Sequence, residues 1–596
     1  MQKYSVDQRP IEILLAWVNS GEIAIPEIQR PFVWDSSKVR NLMDSLYNGF
    51  PVGYVIAWRN PNIKLKDGST SEGKKILIDG QQRITALTAA ILGKQIVNSF
   101  YQKVRIKIAF NPIEERFEVQ NSAILRNKNW LPDISEVING DLFELTDRYF
   151  EANTEVDKQR VRPAFSKLLD ILKNPIGIIE LAPDLDIETV TEIFIRINAQ
   201  GVVLSQADFA MSKIAANSEY GGNTLRKAID YFCHLAISPE FYHHIEENDT
   251  EFASTEFYQK MKWLKSENED LYDPEYTDLI KVAFTSQFNR GKLSDLVSLL
   301  SGRNFETRTF EDSIAEQSFA TLKKGILNFI NESNFKRFLM IIKSAGFISP
   351  KLIRSKSALN FCYILYLKLR DLNVESVKIE SYVRRWFVLS ILTGRYSGSA
   401  ESIFDYDIKQ IAQKSFDEYL KENEQGSLSE AYWNVVLPQS LNTSASAFNS
   451  PYFQVYLASQ VKANNKGFLS SDITVSDLIN LRGDIHHIFP KDYLKRNGME
   501  RGKYNQIANF VFMQTEINIK VGNKPPKEYL GIIKNQIAEN NLHLSGISSE
   551  EQLSKNLDQH CIPTEITRMD ATQYEEFLTI RRQLMANKMK VYYFSI

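Results

Sequence analysis

A chain of 596 residues is too long for one hydrophobic core and, at about 150 residues per domain, calls for roughly three or four units. Its 43% hydrophobic and 24% charged residues exclude a disordered or fibrous protein, and a formal net charge of -2 excludes a globally basic nucleic-acid binder. No apolar run reaches the roughly 18–20 residues of a membrane-spanning helix, and the opening MQKYSVDQRPIEILLAW carries no signal-peptide pattern. The three cysteines, Cys233, Cys362 and Cys561, never stand as CxxC, which argues against a disulfide framework or a thiolate zinc site and fits a reducing cytoplasm.

In chain order, the first hundred or so residues read as an α/β unit. Ser36 and Ser37 can cap a helix that carries Val39, Leu42, Met43 and Leu46 at helical spacing. Residues 51–58 and 75–79 read as strands, and residues 81–92 as a helix that follows directly on Gly80. Residues 102–110 alternate and predict a further strand, as do residues 176–181. A helix is expected over 187–197, and Ser205-x-x-Asp208 is a capping box for the helix after it.

From about residue 220 to 440 apolar side chains recur three and four apart over long segments, as in 335–342, 358–369 and 381–392, and predict a helical region without a catalytic cluster. The Ser/Asn-rich stretch 441–451 reads as a junction. A helix (452–463), a histidine segment and a mixed C-terminal region follow, helical again beyond Pro526. The expected division is therefore 1–218, 219–440 and 441–596, in a multidomain α+β chain that is mostly helical.

Charge is unevenly placed. Residues 482–527 carry nine Lys/Arg against four Asp/Glu, whereas residues 240–275 carry eleven acids and three lysines. A basic patch is the usual footprint for a phosphate backbone, although most charge clusters are only solvated faces.

Inside the basic stretch two histidines stand side by side, His486 and His487, followed by Pro490. Residues 509–513 read as a strand, and Asn518 follows nine residues after Asn509, where a helix should begin. Hydrolysis of a phosphodiester needs a base to activate water and a divalent cation to neutralise developing charge. A histidine at a strand end can be the base, and a second histidine with an amide oxygen can hold Mg²⁺ or Mn²⁺. The order strand–His–loop–strand–Asn–helix–Asn resembles the ββα-metal (HNH, or His-Me finger) nuclease fold. That resemblance implies His487 as general base, His486 and Asn518 as metal ligands, and Asn509 as the residue that holds the loop and so orients the base. Two departures are a missing zinc-binding CxxC pair and a histidine where Asp is commoner beside the base. The second tandem pair, His243-His244, lies in the acidic segment without a following Pro or spaced Asn pair, and no role is assigned to it.

Near the other end, Asp79-Gly80-Gln81-Gln82-Arg83 spans a strand–helix corner. Glycine there lets a ligand approach the backbone, the first N–H groups of a helix attract anions, and Arg83 can add a charge-assisted contact. Polar residues at such a corner are nonetheless more often caps than ligand sites. Residues 25–34 (IPEIQRPFVW), 79–87 (DGQQRITAL) and 194–205 (FIRINAQGVVLS) are similar to the three signature blocks of the GmrSD-type restriction proteins. The likeness covers roughly residues 5–215 and 445–535. It implies an N-terminal half of ParB/sulfiredoxin fold that binds nucleoside triphosphate through Asp79, Gly80, Gln81, Gln82 and Arg83, with Asp79 positioning metal or water. Gln29 and Arg30 would close over the nucleotide, and Arg196 and Asn198 belong to the third block.

The resemblance as a whole implies a nucleotide-regulated, metal-dependent DNA endonuclease with NTPase activity, directed against modified phage DNA, with oligomeric state open. Two other readings stand beside it: an NTP-binding, DNA-binding regulator that does not cleave, and a nuclease toxin. The site reads a phosphate and not a base, so sequence alone leaves the toxin in play.

Overall fold

The structure is a computed structural model, described for residues 3–24, 34–59, 75–97, 103–182, 206–217, 219–267, 270–444, 449–480 and 484–596, with the single positions 185 and 189. The described chain is mostly helical with four small sheets, and it divides into two compact units. One comprises Met1–His234, His243–Phe252 and Ser294–Ala320; the other comprises Leu235–Tyr242, Ala253–Leu293 and Thr321–Ile596. No helix among the described residues is long and apolar enough to cross a membrane.

The first unit is built on a five-stranded mixed sheet. Its strands are β1 (Tyr4–Pro10), β2 (Ile23–Ala24), β3 (Tyr54–Arg59), β4 (Lys75–Asp79) and β9 (Pro175–Leu181), in the order β1-β9-β3-β4-β2. β9 runs antiparallel to β1 and parallel to β3, while β4 runs antiparallel to β3 and parallel to β2. Between them lie two short ribbons, β5 (Ile96–Val97) with β6 (Lys103–Val104) and β7 (Ile108–Asn111) with β8 (Arg116–Val119). The single strand expected over 102–110 is thus two pieces.

Helices α1 (Ile11–Ser20), α2 (Ser36–Tyr47) and α3 (Gln81–Ala90) supply Ile11, Leu14, Val39, Met43, Ile84 and Leu87 to one core with Leu77 and Ile178 of the sheet. The cap of α2 is not Ser36 or Ser37. Asp35 stands one residue earlier in extended conformation, and its carboxylate accepts the Lys38 N–H at 2.8 Å. A carboxylate at the positive end of the helix dipole outcompetes a hydroxyl. Apart from Trp34 and Thr189, the helix expected over 187–197, Ser205, and the blocks containing Gln29, Arg30, Arg196 and Asn198 lie outside the described residues.

The second unit is helical, as the three-and-four spacing predicts. Residues 335–342, 358–369 and 381–392 fall inside the helices Glu332–Ser344, Lys356–Asp371 and Ser376–Thr393, with Tyr363, Trp386 and Phe387 fully buried. Its ribbon, β10 (Asp484–His487) paired antiparallel with β11 (Phe510–Met513), is enclosed by Pro451–Lys462, Pro526–Ala538 and the long terminal helix Tyr574–Ser595.

Candidate functional site

The histidine segment forms one strand of a two-stranded ribbon whose other strand covers most of the stretch 509–513. β10 pairs with β11 so that His486 faces Val511 and His487 faces Phe510. The two residues are adjacent in register, and His486 lies near enough to lower the proton affinity of His487. β11 runs within two residues into the helix Thr515–Val521, which carries Asn518, half-buried, in its first turn. Two short helices, Lys491–Arg496 and Arg501–Tyr504, fill the connection between the strands. This is a β–loop–β–helix motif.

His487 is lodged on an aromatic wall. Its ring centre lies 5.1 Å from that of Phe510 and 6.3 Å from that of Tyr504, both edge-on. Its Nε2 is 3.0 Å from the side-chain oxygen of Asn505. An amide oxygen can only accept, so Nε2 carries the proton and Nδ1 keeps the lone pair. Burial pulls the imidazole below its ordinary value; the Asn505 bond pushes it back up, while Lys491 and His486 push it down. The ring is therefore neutral at neutral pH, as a base must be.

Asn509, fully buried at the end of a single turn Ile507–Asn509, staples the loop after the histidine. Its side-chain oxygen accepts the Phe489 N–H at 2.9 Å, and its amide nitrogen donates to the carbonyls of Phe489 and Tyr504, each at 3.1 Å. Its own carbonyl accepts the Ile488 N–H at 2.8 Å. The side-chain bonds all serve the two segments that flank His487.

The surrounding helices reinforce the staple. Tyr529 donates to the Ile488 carbonyl at 3.1 Å, and Phe489 is enclosed by the rings of Tyr574 and Phe577, at 5.2 and 5.0 Å. Arg581, fully buried on the terminal helix, donates to the carbonyls of Ala508 (2.7 Å) and His560 (3.1–3.2 Å). Sequence reasoning missed Asn505 and Arg581. Asn505 gave no signal because its bond to His487 arises where the chain folds back before β11. Arg581 lies 73 positions from its carbonyl partner, beyond any periodic pattern.

Lys491, Arg496, Arg501, Lys503 and Lys520 are exposed around the motif, whereas Lys527 is paired with Asp570 at 3.2 Å. Among the described residues no three His, Cys, Asp or Glu side chains converge on one point. His486 and Asn518, the two residues that the ββα-metal resemblance assigns to a cation, would make a sparse mixed donor set. It suits an octahedral cation that keeps most of its waters and does not suit a closed tetrahedral zinc site.

In the first unit, the register slip between Ile56 and Ala57 brings Asp79, the last residue of β4, opposite Ile56. Gly80 then turns the chain at φ 90° and ψ 10° into α3. An added Cβ there would lie 3.1 Å from Val55 Cγ2 and 3.2 Å from Val55 Cα. Among the described residues no side chain caps α3, so its opening turn keeps an anion-attracting end. Arg83 donates to the Tyr54 carbonyl at 2.7 Å and lies over Gly53. Burial lowers its proton affinity and Asp79 raises it, which leaves the guanidinium charged. Gln81 donates to the Leu77 carbonyl at 3.2 Å, behaving here as a corner brace.

Residues 12–215 match the family model described as "GmrSD restriction endonuclease, N-terminal domain". An uncharacterized protein of Methanocaldococcus jannaschii is 22% identical over 603 residues, covering 92% of this chain and 90% of that relative. The N-terminal third is therefore similar to the corresponding domain of restriction endonucleases, and similarity to the archaeal relative runs nearly end to end.

Proposed function

We propose that the protein is a metal-dependent DNA endonuclease of restriction type, whose cutting site is the β10–β11 motif and whose first unit binds a nucleoside triphosphate that governs cutting. The observation that carries this reading is the setting of His487: a neutral, oriented imidazole on a loop stapled by Asn509, inside a chain whose residues 12–215 match a restriction-endonuclease domain.

In this reading Nδ1 of His487 takes a proton from a water molecule, whose oxygen attacks the scissile phosphorus in line with the leaving 3′ oxygen. Asn505 fixes the tautomer through Nε2, and Asn509 keeps the strand end still while the proton moves. Lys491, Arg496, Arg501 and Lys503 draw in and position the backbone without reading bases. His486 and Asn518 would hold Mg²⁺ or Mn²⁺, which supplies charge neutralisation at the scissile phosphate when bound. At the other site, the opening turn of α3 with Gly80 receives the nucleotide phosphates and Asp79 positions water or metal, with Gln29 and Arg30 from the preceding signature block.

In this reading the substrate is modified foreign DNA, as the resemblance to the GmrSD-type proteins implies. The test challenges wild type and His487→Ala with unmodified, methylated, glucosylated and phosphorothioated DNA, with Mg²⁺ or Mn²⁺, in the presence and absence of each NTP. Cleavage of one modified class by wild type alone is expected. NTP binding with every DNA left intact would favour a non-cleaving regulator. Growth arrest without phage, relieved by His487→Ala, would favour a toxin.

A further inference from the structure

Three helices of the second unit meet around a polar cavity that the proposed chemistry does not use. Glu332–Ser344 contributes Ser333 and Arg337 one turn apart, Lys356–Asp371 contributes Tyr366 and Arg370 with the same spacing, and Ser376–Thr393 contributes Ser376 and Glu380. The cavity measures about 110 Å³ and opens to solvent at one side. That exceeds what one water requires and suffices for a single tetrahedral oxyanion.

What lines it is an excess of donors. Tyr366 is 2% exposed; its hydroxyl meets no acceptor at hydrogen-bond distance and angle among the described residues, and the Arg370 guanidinium stands beside it, close enough to lower its proton affinity. A buried hydroxyl in that state calls for a partner. Glu380 is already shared between Arg337 at 3.1 Å and Arg384 at 3.9 Å. Arg370 has its guanidinium 5.9 Å from the centre of the Tyr366 ring and enters no ion pair among the described residues. The helix Ser376–Thr393 begins at the cavity with Glu375 as its N-cap residue, and no side-chain bond from that residue closes the end. Its first N–H groups and positive dipole end add to the two guanidinium groups and the hydroxyls.

We infer that this cavity is a phosphate-binding site, separate from both the β10–β11 motif and the Gly80 corner. Arg370 and Tyr366 form its floor and Ser333, Arg337 and Ser376 its rim. The guanidinium of Arg370 supplies a charged donor pair, and the Tyr366 hydroxyl beside it gains an acceptor for its proton. The phosphate belongs either to a nucleotide or to the DNA backbone. This goes beyond the nuclease reading and does not depend on it.

The test is calorimetric titration of the full chain with inorganic phosphate at fixed ionic strength, for wild type, Tyr366→Phe, Arg370→Gln and Gly80→Ala. Tyr366→Phe keeps the packed ring and removes only the hydroxyl, so a folding failure of Arg370→Gln does not block the test. A saturable site weakened about tenfold or more in the Tyr366 and Arg370 variants is expected, because a hydrogen bond to a charged group is lost in each. At a given concentration, phosphate should also raise the melting temperature of wild type more than that of Tyr366→Phe. Unchanged affinity in both variants, or loss confined to Gly80→Ala, overturns the proposal.

Titration of the same variants with an NTP and, in EDTA, with a DNA duplex then separates the sources. The ligand whose affinity falls in Tyr366→Phe is the donor of the phosphate. A fall for inorganic phosphate alone assigns the site to the free ion.

Discussion

Asn509→Ala perturbs the candidate site most sharply. The side chain makes three hydrogen bonds, accepting the Phe489 N–H and donating to the Phe489 and Tyr504 carbonyls. Truncation leaves the Phe489 N–H buried and orphaned, at about 1–3 kcal/mol. The Phe489 carbonyl loses a donor as well, whereas the Tyr504 carbonyl still faces the Tyr574 hydroxyl at 3.4 Å. Adding the small void, the loss comes to about 3–5 kcal/mol, not additive with the neighbouring bonds. A single global unfolding energy is ill-defined in a chain of two units. The assay is therefore amide exchange of peptides spanning 485–490 and 504–510, read by mass spectrometry. Protection of the Phe489 amide is expected to fall by roughly 10²-fold or more, at about 1.4 kcal/mol per factor of ten. Asn509→Asp should not rescue it, since a carboxylate keeps the Phe489 N–H but faces two carbonyl oxygens. Exchange within about threefold of wild type in Asn509→Ala would refute the staple and the reasoning built on it.

Three further outcomes are expected. Asn505→Ala frees the tautomer of His487, so kcat for DNA cleavage should fall on the order of tenfold or more with KM little changed; a change confined to KM would point to substrate binding instead. Gly80→Ala forces a Cβ onto a left-handed turn against the Val55 backbone, with expected destabilisation of the first unit of about 1–3 kcal/mol by chemical denaturation. Val55→Ala should relieve it only in part, because the crowding comes from main-chain as well as side-chain atoms of that residue; full recovery would refute the backbone origin of the strain. His560 is buried with both ring nitrogens engaged, Nε2 donating to the Lys466 carbonyl at 2.8 Å and Nδ1 accepting from Gln460 at 3.2 Å. Burial holds it down at about 3. Between that value and about 6.5 the unfolded chain binds a proton that the folded chain refuses, so the stability of the second unit, read by chemical denaturation, is full above the unfolded value and falls on acidification, by about 1.4 kcal/mol per pH unit. His560→Gln should flatten that slope between about pH 6.5 and 4; an unaltered slope would remove His560 as its source.

Much of this architecture is legible in the sequence. The apolar spacing of Val39, Leu42, Met43 and Leu46 gives α2, the strand–Gly80–helix corner is a local signal, and the strand over 509–513 marks one side of the ribbon, whose other side the ββα-metal resemblance implies. The cap of α2 falls one residue before the expected serines because Asp35, Ser36 and Ser37 are all competent caps, and the dipole favours the charged one. The role of Asn505 is not legible, since nothing in the pattern distinguishes it from Asn497. Nor are the braces from Tyr529 and Arg581, whose carbonyl partners lie 41 and 73 positions away and which only the tertiary fold brings in. Tyr366 and Arg370 read as one helical face, and only their convergence with Ser333, Arg337 and Ser376 makes a cavity.

The central claim is that His487 is the base of a DNA-cutting site, and its most direct test is single-turnover cleavage of a susceptible modified DNA by His487→Ala. Measurement beside wild type with Mn²⁺ and saturating NTP, with duplex binding followed in parallel, separates chemistry from binding. The account expects binding within a few-fold of wild type and cleavage lowered by about 10²-fold or more, as loss of a general base requires. Cleavage at the wild-type rate by the variant would contradict it.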